Sequence, residues 1–439
     1  MIMRFLKHLA EWKPYLWAVG TGHMFIAAQA LTQLLLVPIY LATIGKTTFG
    51  IIVLITSFWG ICHIGVNAMQ SIFIRRMALS AGREDVVTLN LYFAATRVFL
   101  LVCYTLAASI MVALAYVYHA QHASEIDGLF SPGVVIAFAG LTLVANAFLS
   151  AEYYFLSAIR KQGHGHLFYI FGIAVFFLLV LPWLFFGGGI EGVIIAQFLS
   201  TAIAAMAAGA TRRAQPKDPS ECISWRDTLG AAREFAGQQG QSYLRYGLVV
   251  ALLQGDILLV GILGGPVAAA EFTIIWKIAE VIILALSRIS DSLQPEILQL
   301  EARGEMVAIR RIHARGLPII IATAGLAGIA YGLTGPYIVA LWIGAQTIAF
   351  PSHAFWAGGG AIFWLSIARF SAVFPHALAR LDGLFRIAVC ELASRVLVVI
   401  FLFSSFGYTA NLVAVSTVHF LGIAWGYIIF ARKNMTPAV

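Results

Sequence analysis

Thr211-Arg-Arg-Ala-Gln-Pro-Lys-Asp-Pro-Ser-Glu-Cys-Ile-Ser-Trp-Arg-Asp-Thr-Leu-Gly-Ala-Ala-Arg-Glu234 is the clearest shift to polar composition in a chain of 439 residues that is 61% hydrophobic. Two prolines and a mixed run of charges mark it as a linker. Six apolar stretches precede it: Leu16–Ile44, Thr48–Ile74, Leu91–Tyr118, Gly133–Ile159, Leu167–Phe186 and Gly192–Ala210. Six more follow: Gln238–Leu263, Ala268–Leu293, Leu317–Ile343, Phe355–Phe374, Ile387–Phe406 and Asn411–Ala431. A helix needs about 20 residues to cross a bilayer, and each stretch is long enough. The expected fold is an all-α polytopic membrane protein with twelve transmembrane helices. Residues 1–211 would form an N-terminal six-helix lobe, 212–235 a cytoplasmic linker, and 236–439 a second six-helix lobe.

With that count, arginine and lysine gather on one side. Loops on the linker's side carry Arg4, Lys7 and Lys13, then Arg75, Arg76 and Arg83, then Arg160 and Lys161. The linker adds Arg212, Arg213, Lys217, Arg226 and Arg233. Beyond it come Arg303, Arg310, Arg311 and Arg315, then Arg380 and Arg386, and finally Arg432 and Lys433. The opposite loops carry only Lys46. Positive loops stay in the cytoplasm during insertion, so both termini are expected inside.

Composition excludes several classes. Only 11% of residues are charged, against roughly a quarter in a soluble protein. Mean hydropathy is +0.88. The net charge of +8 reads as membrane topology and contact with anionic lipid, and no nucleic-acid partner is expected. Four scattered cysteines contain no C-x-x-C, which indicates neither a disulfide frame nor a zinc site. The run Leu16–Ile44 is too long for a signal peptide and reads as an uncleaved span. A formal G-x-G-x-x-G at Gly187–Gly192 follows a membrane exit, with no strand before it, so no dinucleotide is expected. Gly45-Lys46-Thr47 lacks the upstream glycine of a phosphate loop. No cofactor, metal or enzymatic activity is expected.

The histidines form no metal-ligand pair; His164 and His166 read as solvated in a basic loop. His63 joins Thr56, Asn67 and Gln70 in a polar stripe that must meet another helix or water. A faint internal echo links Met77–Asp85 to Ile297–Glu305, each following a hairpin that turns on glycine, at Gly45 and at Gly264-Gly265.

The seventh and eighth spans carry the informative charges. Gln241, Arg245 and Asp256 share a face of the seventh span, because eleven residues is close to three helical turns. Lys277 and Arg288, and Glu280 and Asp291, repeat that spacing in the eighth. A charge at the bilayer centre costs about 2.5–3.5 kcal/mol on insertion scales, so these groups must face each other or a hydrated cavity. Pairing of Lys277 with Glu280 and of Arg288 with Asp291 would glue the helices; the other reading is a cation-bearing cavity. Glu391 and Arg395 read as a structural i, i+4 pair. Arg97 and Arg369 lie near the inner surface, placed either to snorkel or to project into the same cavity. Asn146, Ser150, Tyr153 and Ser157 form a polar stripe on the fourth span, suited to sugar hydrogen bonds or to helix packing.

One further stretch, Leu36-Val-Pro-Ile-Tyr-Leu-Ala-Thr-Ile-Gly-Lys-Thr-Thr-Phe-Gly50, resembles the first hairpin of bacterial polysaccharide flippases. There P-x-Y-L, then L-G, then F-G recur in this spacing. Asp256 late in the seventh span, the Gly264-Gly265 turn and Pro295 after the eighth extend the resemblance. Glu271-Phe272 stands where the family has a tyrosine. The family belongs to the multidrug/oligosaccharidyl-lipid/polysaccharide exporter superfamily. The resemblance implies two six-helix lobes around a central cavity in the bacterial inner membrane. It also implies translocation of an undecaprenyl-pyrophosphate-linked oligosaccharide from the inner to the outer leaflet, alongside a polysaccharide polymerase and glycosyltransferases. Arg245, Lys277, Arg288, Arg97, Arg369, Asn146 and Gln241 would then bind pyrophosphate or sugar, while Asp256, Glu280 or Asp291 would couple an ion. The alternatives are a multidrug or cation antiporter of the same superfamily, and a polytopic polymerase or ligase. Short outward loops disfavour the last.

Overall fold

Every described segment that crosses the apolar stretches is helical, because hydrocarbon leaves a backbone N–H or C=O no partner outside its own helix. The computed structural model describes residues 2–122, 131–213, 224–235, 237–291, 293, 296–297, 300–301, 303–344, 350–378 and 380–435. In chain order the helices of the first half are α1 (Ile2–Thr43), α2 (Gly45–Asn67), α3 (Gln70–Gly82), α4 (Val86–Gln121), α5 (Pro132–Ala158), α6 (Gln162–Phe185) and α7 (Ile190–Arg213). Then come α8 (Trp225–Phe235), α9 (Gln238–Leu253), α10 (Asp256–Asp291), α11 (Met306–Ile343), α12 (Ser352–Ala377) and α13 (Leu381–Phe406). A 3-10 turn (Gly407–Thr409) leads into α14 (Ala410–Val418), and a π-helical turn (His419–Ile423) joins it to α15 (Ala424–Asn434).

Among the described residues, ten continuous helical stretches are long and apolar enough to span a membrane. Two of them, Gln241–Ser287 and Leu381–Asn434, run 47 and 54 residues, too long for one crossing. Each is divided by a glycine at positive φ, Gly265 (φ 79°) and Gly407 (φ 54°), which restores twelve spans. The result is a two-lobe, six-plus-six helical fold. The second expected span departs in detail: it breaks at Ala68–Met69 into α2 and α3.

The chain forms two compact units. One holds residues 1–48 and 62–244, the other 49–61 and 245–439. In the first, α5 packs between α4 and α7, and α1 lies along α6. The linker helix α8 docks on α4, with Phe235 buried edge-on against Phe73 at 4.9 Å. Glu234 accepts from the Tyr92 hydroxyl at 3.4 Å. In the second unit α11 and α12 pack backbone to backbone at Gly328 and Gly359. A Cβ on either would lie 2.4–2.5 Å from the other's carbonyl oxygen. Lipid gives no hydrophobic drive between helices, so van der Waals contact through such small residues does the work. Gly50 likewise meets Pro266, whose carbonyl a Cβ would strike.

The internal echo has a backbone counterpart. Gly45 and Gly265, Glu84 and Gly304, and Gly187 and Gly407 all take positive φ, and each pair is 220 residues apart. After α3, the Asp85 amide donates to Ser80 and that of Glu84 to Ala81, at 3.1 and 3.2 Å. Before α11, the Glu305 amide donates to Leu300 and that of Gly304 to Glu301, both at 2.9 Å. The same helix-ending motif thus stands at both echoed positions. Its left-handed position suits glycine, since a Cβ there costs about 1–2 kcal/mol. The first copy places Glu84 in it (φ 59°).

The repeat therefore predicts opposite signs for two substitutions. Glu84→Gly should stabilise the protein in detergent by about 1 kcal/mol, and Gly304→Ala should destabilise it by a similar amount. Thermal unfolding of both variants checks this.

Candidate functional site

The break between α9 and α10 positions the most heavily charged buried cluster among the described residues. Gln254 and Gly255 donate to the carbonyls three residues back, at 3.0 and 2.9 Å, tightening the turn. Tightening interrupts the single helix on which Gln241, Arg245 and Asp256 would share a face. It also leaves the Leu253 carbonyl without a helical donor and makes Asp256 the first residue of α10. A cation at the end of one helix and an anion at the start of the next both suit the helix dipoles.

Arg395 of α13 fills that place. Its Nη2 donates to both carboxylate oxygens of Asp256. Its Nη1 reaches the Leu253 carbonyl and Glu391 Oε1, each at 3.4 Å. Glu391 lies on the same face one turn earlier, and its Oε2 accepts from the Tyr427 hydroxyl of α15 at 3.0 Å. His419, in the π-helical turn, brings Nε2 to 3.2 Å from Glu391 Oε1. The side chains of Arg395 and Glu391 are each 5% exposed and that of His419 is fully buried, so the charges must compensate one another. The Glu391–Arg395 pair is thus part of a five-residue network drawn from four helical segments.

The other expected site residues are placed as follows. Lys277 Nζ donates to Glu280 Oε2 at 2.8 Å on α10, and both side chains keep partial exposure. Arg245 and Gln241 are exposed on α9. The α10 backbone includes Arg288 and Asp291, whose side chains lie outside the described residues. Arg97 lies over the rings of Phe93 and Phe148, at 5.6 and 5.1 Å. Asn146 Nδ2 donates to the Thr142 carbonyl of its own helix at 3.0 Å. Arg369 is half-buried on α12.

Two polar arrangements differ from the expectations, and a third, at His63, takes the helix-packing alternative. His166 is buried rather than solvated, held by the hydroxyls of Thr21 and Tyr153 at 3.3 and 3.2 Å. His63 packs between helices, its Nδ1 3.0 Å from the Tyr104 hydroxyl. Arg212, read only as a linker charge, donates to buried Glu152 at 3.0 Å and lies 4.4 Å over Phe93. In sequence, Glu152 stands isolated in an apolar span; a buried carboxylate demands a cation, and that was the available signal.

No protein-family model matches this chain, and no curated protein matches it in sequence. Solved structures do. An inward-facing multidrug resistance MATE family transporter of the MOP superfamily aligns with TM-score 0.75 at 13% identity, covering 93% of this chain and 94% of that one. The eukaryotic MATE transporter AtDTX14 aligns with TM-score 0.60 at 15% identity, over 98% and 99%. This chain has the MATE fold. A MOP superfamily transporter from Pyrococcus furiosus, reported with a binding pocket of reverse polarity, aligns with TM-score 0.58 at 12% identity, over 96% and 94%. The MATE-like fold and the apolar helices make the chain a polytopic membrane protein.

Burial separates the two sets of ion pairs energetically. Removing one partner of a buried pair costs about 3–5 kcal/mol, while a partly exposed pair contributes about 1 kcal/mol or less. Arg395→Met should therefore unfold far more readily than wild type in chemical denaturation, and Lys277→Gln should unfold almost as wild type does.

Proposed function

We propose that the chain is a secondary transporter that carries an organic solute across the membrane by alternating access, driven by counterflow of a cation. The observation that carries this reading is the full-length fold match to a multidrug resistance MATE transporter. Export of amphipathic organic solutes is accordingly the first substrate class. In this reading the membrane is the bacterial cytoplasmic membrane, with both termini inside, as the arginine and lysine asymmetry indicates. Asp256, Glu280 and Asp291 are the carboxylates proposed to take part in ion coupling, Asp256 as a counter-charge fixed by Arg395.

A specific observation favours a second reading. Among the described residues Asp256 and Glu391 both contact Arg395, and Glu280 pairs with Lys277, whereas no ion pair joins Arg245 to a described carboxylate. Exposed cationic charge suits an anionic substrate. With the hairpin Leu36–Gly50, this supports a flippase for a pyrophosphate-linked oligosaccharide. Arg245, Lys277 and Arg288 would then engage the pyrophosphate, with Arg97, Arg369, Gln241 and Asn146 toward its flanks and sugars. A planar guanidinium meets phosphate as a fork and an ammonium as a point charge.

A deletion strain separates the two. The exporter reading expects increased susceptibility to organic cations with surface polysaccharide intact; the flippase reading expects the reverse. Arg245→Gln and Lys277→Gln, expressed at wild-type level, should cut complementation by about tenfold or more if the substrate is anionic, the loss of one charge-assisted bond. They should leave organic-cation export nearly unchanged. If the deletion alters neither trait, both readings fail.

A further inference from the structure

The Glu391–His419 contact contains a proton that can be located by hydrogen-bond logic. His419 Nδ1 stands 2.8 Å from the Val415 carbonyl oxygen, which only accepts, so Nδ1 carries its hydrogen. If the imidazole were neutral, Nε2 would present a lone pair to Glu391 Oε1 at 3.2 Å. A carboxylate oxygen is also an acceptor, and the two would repel. A proton held by the pair turns that repulsion into attraction, as imidazolium beside carboxylate or as imidazole beside carboxylic acid.

Charge counting reaches the same answer independently. Asp256, Glu391 and Arg395 together leave one uncompensated negative charge in a buried cluster. One added proton brings it to zero, where an unpaired buried charge would cost several kcal/mol. The neighbouring groups offer no substitute. Tyr427 already donates to the other Glu391 oxygen, and Arg395 is committed to Asp256, Glu391 and Leu253. Tyr246 of α9 stands within electrostatic reach of Glu391, and its ring lies 5.9 Å from that of His376 on α12; a phenol is a poor neutral-pH proton source.

The position of His419 is itself unusual. It opens the π-helical turn His419–Ile423, an irregularity that adds a residue to one turn and re-aims the side chains around it. Such turns occur frequently at functional sites.

We propose that Glu391 and His419 form a proton-binding site that couples transport. The pair holds one proton in the conformation described here and releases it when α13 and the α14–α15 segment move apart. Asp256, locked by Arg395, is a fixed counter-charge in the same cluster and does not carry the exchanged proton. This inference rests on the transporter reading for its coupling role, but the proton site itself does not.

Two measurements on the full chain keep those parts distinct. First, infrared difference spectroscopy between acidic and alkaline pH should show one titrating step in which carboxyl and imidazole bands change together. Both should vanish in Glu391→Gln and persist in Asp256→Asn. The glutamine is a fair test of folding, because it keeps the side-chain volume and leaves Asp256 and Arg395 balanced. An imidazole that titrates alone, unaltered by Glu391→Gln, would overturn the site. Second, proteoliposomes loaded with ethidium would compare accumulation driven by a pH gradient with exchange at equal pH. Glu391→Gln should lose the gradient-driven mode and keep the exchange. Retention of gradient-driven accumulation in this variant refutes the coupling role. If the wild type moves ethidium in neither mode, organic-cation export and its proton coupling both fail, while the infrared result still decides the site.

Discussion

Hydrocarbon supplies neither hydrogen bonds nor counter-ions, and every feature of this chain answers that constraint. Backbone groups must be satisfied within each span, so the described spans are helical. Helices then associate without a hydrophobic drive, which is why glycine faces glycine at Gly328 and Gly359, where even a methyl group would collide. Any charge kept inside must bring its own partner. The cluster around Arg395 is what remains when that demand is met in several helices at once.

The cluster depends on a local fault in the helical ladder. A continuous helix through residues 253–256 would engage the Leu253 carbonyl and carry Asp256 on around the spiral. The tightened turn at Gln254 and Gly255 exposes one carbonyl and starts a new helix with a carboxylate. Arg395 meets both. The π-helical turn at His419 does the equivalent on the other flank. Polar chemistry in this unit therefore lies where the backbone departs from regularity, which is where orphan groups and re-aimed side chains become available.

Much of the fold was legible in the sequence because it depends on local quantities. Length, hydropathy and the polar interval Thr211–Glu234 suffice to count spans. The charge asymmetry checks the count. The repeat was visible only as a faint echo between Met77–Asp85 and Ile297–Glu305, since side chains diverged while the backbone turn persisted. The site was less legible. Lys277 with Glu280 follows from helical spacing, and the structure makes that pair. Asp256 with Arg395 does not, because 139 residues separate them. Nor does His166 buried among hydroxyls, because a histidine near basic residues looks the same whether solvated or packed. Long-range pairing has no sequence period to betray it.

The two basic side chains in the cluster differ in how they can carry charge. Arginine stays charged at any physiological pH, so a carboxylate paired to it is neutralised permanently. Histidine becomes a cation only by accepting a proton, so a carboxylate paired to it is neutralised conditionally. One Asp, one Glu, one Arg and one His thus divide into a fixed pair and a switchable pair sharing the Glu391 side chain. A network of two arginines would be rigid and indifferent to pH; a network without any would be too costly to bury. This composition leaves the cluster compensated in one protonation state and one charge out of balance in the other.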